Sequence, residues 1–133
     1  MSALATGPLL LDTHVFLWWA GGEIARIPRE VRDAIARAPA VYVSLASAWE
    51  LRIKTALAKM RMSVTFADAM HVNRFSALPI ALEHVEVIGM LPLPPHHRDP
   101  FDRMLIAQAL HEGLTLVTHD RAFRAYPVPV LWA

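Results

Sequence analysis

Short apolar runs alternate along the chain with longer segments whose apolar positions recur at helical spacing, the pattern of strands and helices taken in turn. Residues 8–12, Pro-Leu-Leu-Leu-Asp, read as a strand, and residues 13–20 continue as a helix closed by Gly21 and Gly22. Pro28 stands at a first helical position, leads a helix over residues 29–38, and Pro39 stops it. Residues 40–44 are β-branched and aromatic, a second strand, followed by a helix from about Ser47 to Lys59. Two more helical stretches, near residues 65–75 and 81–88, flank Leu78-Pro79-Ile80, which predicts a short third strand. Four prolines and two histidines make residues 90–100 an extended loop. Residues 101–112 then form a nearly all-apolar helix, expected to be buried and ended by Gly113. Residues 114–117 are a fourth strand and 128–132 a fifth at a sheet edge, where prolines are tolerated. Alternation of this kind predicts an α/β domain with right-handed crossovers around a mostly parallel sheet of four to five strands.

With 133 residues, 55% of them hydrophobic, the chain can bury one self-sufficient core. The absence of Cys removes disulfides, thiolate zinc sites and cysteine nucleophiles, and suits a reducing compartment; cytoplasm is the expectation. Residues 1–11 hold no Lys or Arg and no long apolar core, so they do not read as a secretory signal, and charged or proline residues interrupt every apolar stretch well short of the roughly 20 residues that cross a membrane. A net charge of +1 gives no global field toward nucleic acid, so any such contact must be local.

Only 12 residues are Asp or Glu, yet four of them, Asp12, Glu50, Asp102 and Asp120, fall just past an apolar run or at the head of a helix. Each has a plain reading. Asp12 can cap the first helix, Ser47 and Glu50 have capping-box spacing, Glu50 can pair with Lys54 one turn on, and Asp120 can cap the residues from Arg121. Asp99 can cap the long helix with Pro100 at its first position, which leaves Asp102 in the first turn as the better ligand. Separate caps have no reason to converge. If the first strand is central with the second and fourth beside it, all four acids meet at one edge of the sheet, where they repel unless a cation sits among them. Oxygen ligands favour Mg²⁺ or Mn²⁺ over zinc, and Thr118 can orient a carboxylate. His96 and His97 are read as surface or loop residues rather than ligands, and Trp18, Trp19 and Trp49 as core or interface.

The segments Leu9-Leu-Leu-Asp-Thr-His14, Val43-Ser-x-x-Ser-x-Trp-Glu50, His97-Arg-Asp-Pro-Phe-Asp-Arg-Met-Leu-Ile-Ala-Gln108, Leu116-Val-Thr-His-Asp120 and Val128-Pro-Val-Leu-Trp132 together resemble the PIN domain, most closely its VapC-type toxin branch of type II toxin-antitoxin systems. The resemblance implies a three-layer α/β/α fold over residues 9–133, residues 1–8 being an N-terminal extension expected to be disordered or a start-site addition. It implies a Mg²⁺- or Mn²⁺-dependent endoribonuclease with catalytic and metal-holding acids at Asp12, Glu50, Asp102 and Asp120 and Asp99 as an accessory residue, beside Thr118, whose accessory role is read from its place near Asp120. It also implies in-line hydrolysis leaving a 5′-phosphate, a cognate VapB-type antitoxin as partner, and a homodimer.

An acidic centre needs basic side chains around it to hold RNA; Arg52, Lys54, Lys59, Arg61, Arg98, Arg103 and Arg121 are the candidates. On an ideal helix Arg52 and Lys59 share one face and Lys54 and Arg61 the opposite one, so at most one pair meets RNA. Two rival readings remain: a catalytically silent PIN fold that binds RNA or protein, and a receiver-like domain with Asp12 as nucleophile. The second lacks an acid two residues on, where His14 stands, and a lysine after a late strand.

Overall fold

A computed structural model describes residues 7–56 and 65–133. Lys59 and Arg61 fall outside the described residues, as do residues 1–6. The elements run β1 (Leu9–Leu11), α1 (Thr13–Ala20), a 3₁₀ turn (Ile24–Arg26), α2 (Arg29–Arg37), β2 (Val41–Ser44), α3 (Leu45–Ala56), α4 (Phe66–Val72), β3 (Ser76–Leu78), α5 (Leu82–Ile88), α6 (Pro100–Glu112), β4 (Thr115–Thr118), a second 3₁₀ turn (Arg121–Ala125) and β5 (Val130–Trp132).

Five strands lie in the order β3-β2-β1-β4-β5, every neighbouring pair parallel. Leu11 is level with Val43 on one side and Val117 on the other, so β1 is the central strand. Its three leucines are fully buried and face alternate sides. Leu9 and Leu11 pack with Val15 and Phe16 of α1, Val31, Ala34 and Ile35 of α2, and Ala69 and Met70 of α4. Leu10 packs with Leu105, Ile106 and Ala109 of α6 and with Leu116 of β4 on the opposite side. Helices therefore cover both faces of the sheet, the condition under which an unbroken apolar strand is stable, and the three-layer α/β/α arrangement follows.

Several local expectations shift. Pro28 is not the first helical residue; it precedes α2 as the cap, at φ −54° and ψ 144°. The third strand ends at Leu78, level with Ser44 of β2, instead of running through Ile80, because Pro79 has no N–H to give the ladder. The helix expected from Ser47 begins two residues earlier, at Leu45, directly after β2. Ser44 Oγ accepts from the Ala46 N–H at 3.0 Å, which puts Ser47 inside the helix and removes the capping-box reading of Glu50. The end of α6 does follow the sequence: Gly113 closes it at φ 70°, a left-handed conformation that costs a side chain energy, and the helix centre from Leu105 to Ala109 is buried.

Candidate functional site

The chain turns back on itself between β1 and its two neighbours: β2 and β3 build one side of the sheet, β4 and β5 the other. Ligand sites of open parallel sheets form at such a reversal, outside the carboxyl ends of the strands. Asp12 follows β1 at that place. Its backbone N–H donates to the Val117 carbonyl at 2.9 Å, extending the ladder by one bond. Its carboxylate is buried and held at both oxygens: Oδ1 accepts from the Val15 N–H at 2.9 Å as the cap of α1, and Oδ2 accepts a short hydrogen bond from the Thr118 hydroxyl. Capping and site duty, rivals on the sequence, are compatible in one side chain because a carboxylate has two oxygens.

Asp120 lies two residues beyond Thr118, caps the second 3₁₀ turn through the Ala122 N–H at 2.9 Å, and is exposed. Asp102 sits half-buried in the first turn of α6, and Asp99 caps that helix, its Oδ1 accepting from the Phe101 and Asp102 N–H groups at 2.8 and 3.0 Å. Asp99 is thus the cap of α6, while Asp102 in the same turn presents its carboxylate to His97.

Glu50, on the second turn of α3, is buried. Oε1 accepts from the Thr13 hydroxyl at 2.7 Å, and Thr13 Oγ1 also lies 2.9 Å from Ser47 Oγ; Oε2 forms an ion pair with Lys54 Nζ at 2.8 Å. Glu50 is thus tied to Thr13, the residue next to Asp12, with its charge already answered by Lys54.

Sequence reasoning missed His97. The residue stays in the loop before α6 but is buried, whereas His96 is exposed. His97 Nε2 lies 3.0 Å from Asp102 Oδ2 and Nδ1 lies 2.9 Å from Tyr126 Oη. Among the described residues, the group of metal-ligating side chains whose atoms all lie within 4.8 Å of one another is His97, Asp102 and Asp120; Asp12 and Glu50 fall outside it. The signal was the place of His97 two residues before Asp99 and five before Asp102; weighing it as half of a His-His pair concealed that only one of the two points inward.

The electrostatics explain why such a group wants a cation. Burial pushes the Asp12 carboxyl above its ordinary range and Asp120 adds to the rise, against the Thr118 and Val15 hydrogen bonds and the nearby His14. Burial likewise raises Asp102, to about 6, with Asp99 and Asp12 adding repulsion and His97 opposing it. Carboxylates that resist ionisation because they are crowded and partly dehydrated are the donor set that a divalent ion relieves. The residues present fit a metal.

A stability consequence follows from the sign of the Asp102 shift. Its folded-state value lies above its unfolded value, so between pH 4 and 6 the folded chain binds more protons than the unfolded one, and stability from this group falls as pH rises. Metal-free protein is expected to melt several degrees lower at pH 7.5 than at pH 5, measured by scanning fluorimetry with chelator present. Asp102→Asn is expected to flatten that difference; a variant that keeps the full difference would refute the assignment.

Two basic candidates are committed inside the molecule. Arg103 donates to the Pro92 carbonyl at 2.7 Å, to Tyr126 Oη at 3.2 Å and to the Ile88 carbonyl at 3.4 Å, which fastens the loop of residues 90–100 and removes Arg103 from the set free to meet RNA. Lys54 is held by Glu50. Arg52, Arg98 and Arg121 are exposed, Arg121 stacking over Trp132 at 5.0 Å.

A model of the PIN domain family matches residues 9–129. The chain belongs to the PIN-domain family. This PIN domain is 30% identical over 130 residues to Ribonuclease VapC22 of Mycobacterium tuberculosis, a match spanning 91% of the chain and 93% of that relative. In three dimensions it is similar to VapBC2 from Rickettsia felis, solved bound to a DNA fragment from their promoter, at a TM-score of 0.67 and 13% identity, covering 93% of this chain and 97% of that one. A toxin-antitoxin complex from Klebsiella pneumoniae is similar at a TM-score of 0.61 and 20% identity, covering 92% and 95%. At such identities the structural likeness speaks for the fold of this PIN domain alone.

Proposed function

We propose that the chain is a VapC-type ribonuclease toxin that hydrolyses RNA phosphodiester bonds at the carboxylate cluster with a divalent cation, Mg²⁺ or Mn²⁺. The observation that carries the reading is the convergence of Asp12, Asp102 and Asp120 at the carboxyl ends of β1 and β4 and the start of α6, where the Asp120 charge adds to the rise at Asp12 and the Asp12 charge to the rise at Asp102. Its kinship to a protein named as a ribonuclease of the VapC group supports the same assignment.

Asp102 and Asp120 would hold the cation, with Asp12 beside them. When bound, it would supply Lewis acidity to the scissile phosphate and the attacking water. The chain's own part is to aim and to hold. Thr118 and the Val15 N–H fix both oxygens of Asp12, so its orientation is set before any substrate arrives. Asp99, through two α6 backbone N–H groups, fixes the turn from which Asp102 projects. Glu50 takes part through Thr13, with Lys54 balancing its charge.

RNA would be held by exposed arginines around the acidic centre, Arg52, Arg98 and Arg121 among them, with Lys59 and Arg61 of the same sequence region also candidates. Replacing Arg98 and Arg121 by Ala is expected to reduce the steepness with which RNA affinity falls with salt, by about 0.7 in log–log slope per lost phosphate contact on single strands. Filter binding or fluorescence anisotropy at several salt concentrations reads this; an unchanged slope would remove both residues from the footprint.

A VapB-type antitoxin and a second copy of the chain are the protein partners this reading brings. Leu45, Trp49 and Ile53 are exposed at one-turn intervals along α3, and apolar surface of that kind suits a protein contact. Among the described residues no helix is long and apolar enough to cross a membrane, and cytoplasm is the compartment we assign. Incubating the purified chain with total RNA and Mn²⁺ and mapping new 5′-phosphate ends tests the function directly. RNA binding without new ends would return the silent-module reading, for which the neutralised Glu50 is the supporting observation.

A further inference from the structure

His97 is tied to two partners that together define what its ring can offer. Nε2 faces Asp102 Oδ2 at 3.0 Å and Nδ1 faces Tyr126 Oη at 2.9 Å. Tyr126 has one proton and two acceptors for it, since its hydroxyl also reaches the His97 backbone carbonyl at 3.1 Å. Its oxygen additionally accepts from Arg103 Nη1 at 3.2 Å.

Two proton arrangements satisfy these groups. In the first, the tyrosine hydroxyl donates to Nδ1 and the imidazole Nε2–H donates to the Asp102 carboxylate. In the second, the hydroxyl turns to the His97 carbonyl, Nδ1–H donates to the tyrosine oxygen, and the Nε2 lone pair is directed at the space shared with Asp102 and Asp120. The neutral imidazole carries one proton in both, so passing between them changes no net charge on the ring and leaves Tyr126 with a hydrogen bond to give. A lone pair aimed at a carboxylate is repulsive by itself. It becomes favourable when both atoms are neighbouring ligands of one cation, and the three side chains present their ligating atoms within 4.8 Å of one another.

Resting on the metal-dependent reading of the site, we propose that His97 is a metal ligand through Nε2, with Tyr126 as the positioning residue that orients the ring and accepts from Nδ1–H in the ligating tautomer, so that the cation site is a mixed nitrogen-oxygen site and not an all-carboxylate one. Metal-ligating imidazoles are ordinarily steered by a hydrogen bond at the other ring nitrogen, which is the place Tyr126 occupies. Arg103 and the aromatic edges of Phe123 and Tyr126, with ring centroids 5.6 and 5.3 Å from that of His97, hold the pair in position. Nitrogen ligation tilts preference from Mg²⁺, which favours oxygen donors, toward later divalent ions.

Pulsed electron paramagnetic resonance of the full chain loaded with Mn²⁺ alone tests this without reference to cleavage. The unaltered protein is expected to show nitrogen hyperfine modulation from a directly bound imidazole. His97→Gln is expected to lose that modulation and weaken Mn²⁺ binding by about tenfold or more, since a side-chain amide ligates through oxygen. Tyr126→Phe is expected to keep the modulation with weaker binding, and His119→Gln to change neither. A purely structural role for His97 would lower the melting temperature of His97→Gln and leave the Mn²⁺ spectrum of its folded fraction unaltered. Mn²⁺ bound to the unaltered chain without nitrogen modulation, or modulation that persists in His97→Gln, overturns the proposal and leaves the metal-dependent reading standing. Absence of Mn²⁺ binding overturns both.

Discussion

Purified Asp102→Asn and Asp12→Asn proteins will give no new RNA 5′ ends under conditions where the unaltered chain cleaves, a loss of more than about a hundredfold. Asn keeps the size of the side chain and one oxygen acceptor, so Asp12→Asn can still cap α1 at the Val15 N–H through Oδ1, while its amide NH₂ takes the other oxygen's place and donates to the Thr118 hydroxyl. What it removes is the charge. Burial raises both carboxyls above their ordinary range, with Asp120 adding to the rise at Asp12 and Asp99 and Asp12 adding to it at Asp102, so neutralising either one relieves an unfavourable term in the metal-free fold. The variants are therefore expected to melt no lower than the parent at pH 7.5. Loss of cleavage with unchanged or higher thermal stability would assign the defect to chemistry and not to folding. Cleavage near the parent rate by either variant, with Mn²⁺ still required, would sink the carboxylate scheme.

Chelation carries the second large effect. Treatment with excess EDTA should abolish cleavage, and Mn²⁺ added beyond the chelator should restore it, because the proposed chemistry takes its Lewis acid from the cation. The same residues set a pH limit. Protons and the cation compete for Asp102, whose carboxyl sits at about 6, so apparent Mn²⁺ affinity and cleavage at limiting Mn²⁺ should both fall as pH drops through 6 toward 5. Raising Mn²⁺ should move the acid limb of the rate profile to lower pH. An acid limb that stays in place at saturating Mn²⁺ would show that the titrating group is not a ligand.

Much of the fold was legible in the sequence because strand and helix alternate with clear punctuation. Gly21 and Gly22, Pro39, Asp99 with Pro100, and Gly113 each mark an element end that the structure keeps. Errors fell where tertiary pairing overrules a local signal. Ser47-x-x-Glu50 has the spacing of a capping box, but β2 feeds straight into α3 and Ser44 makes the capping contact, leaving Ser47 to meet Thr13 from α1. The third strand stops at Leu78 because its register with β2 is set by Ser44, and Pro79 cannot continue it.

By itself the sequence determined that Asp12, Asp102 and Asp120 stand at strand ends and a helix start; that these ends share one edge depended on the strand order, which the structure supplies. It also held the Glu50–Lys54 pair, which needs only four residues of helix to form. Only the tertiary structure decided that His97 is inside and His96 outside, since loop residues carry no periodicity from which a direction can be read. It alone decided that Arg103 latches the loop of residues 90–100 and that Thr118, 106 residues away along the chain, holds the carboxylate of Asp12. Local rules fix where a side chain departs from its own element; which distant group it meets depends on how the layers pack.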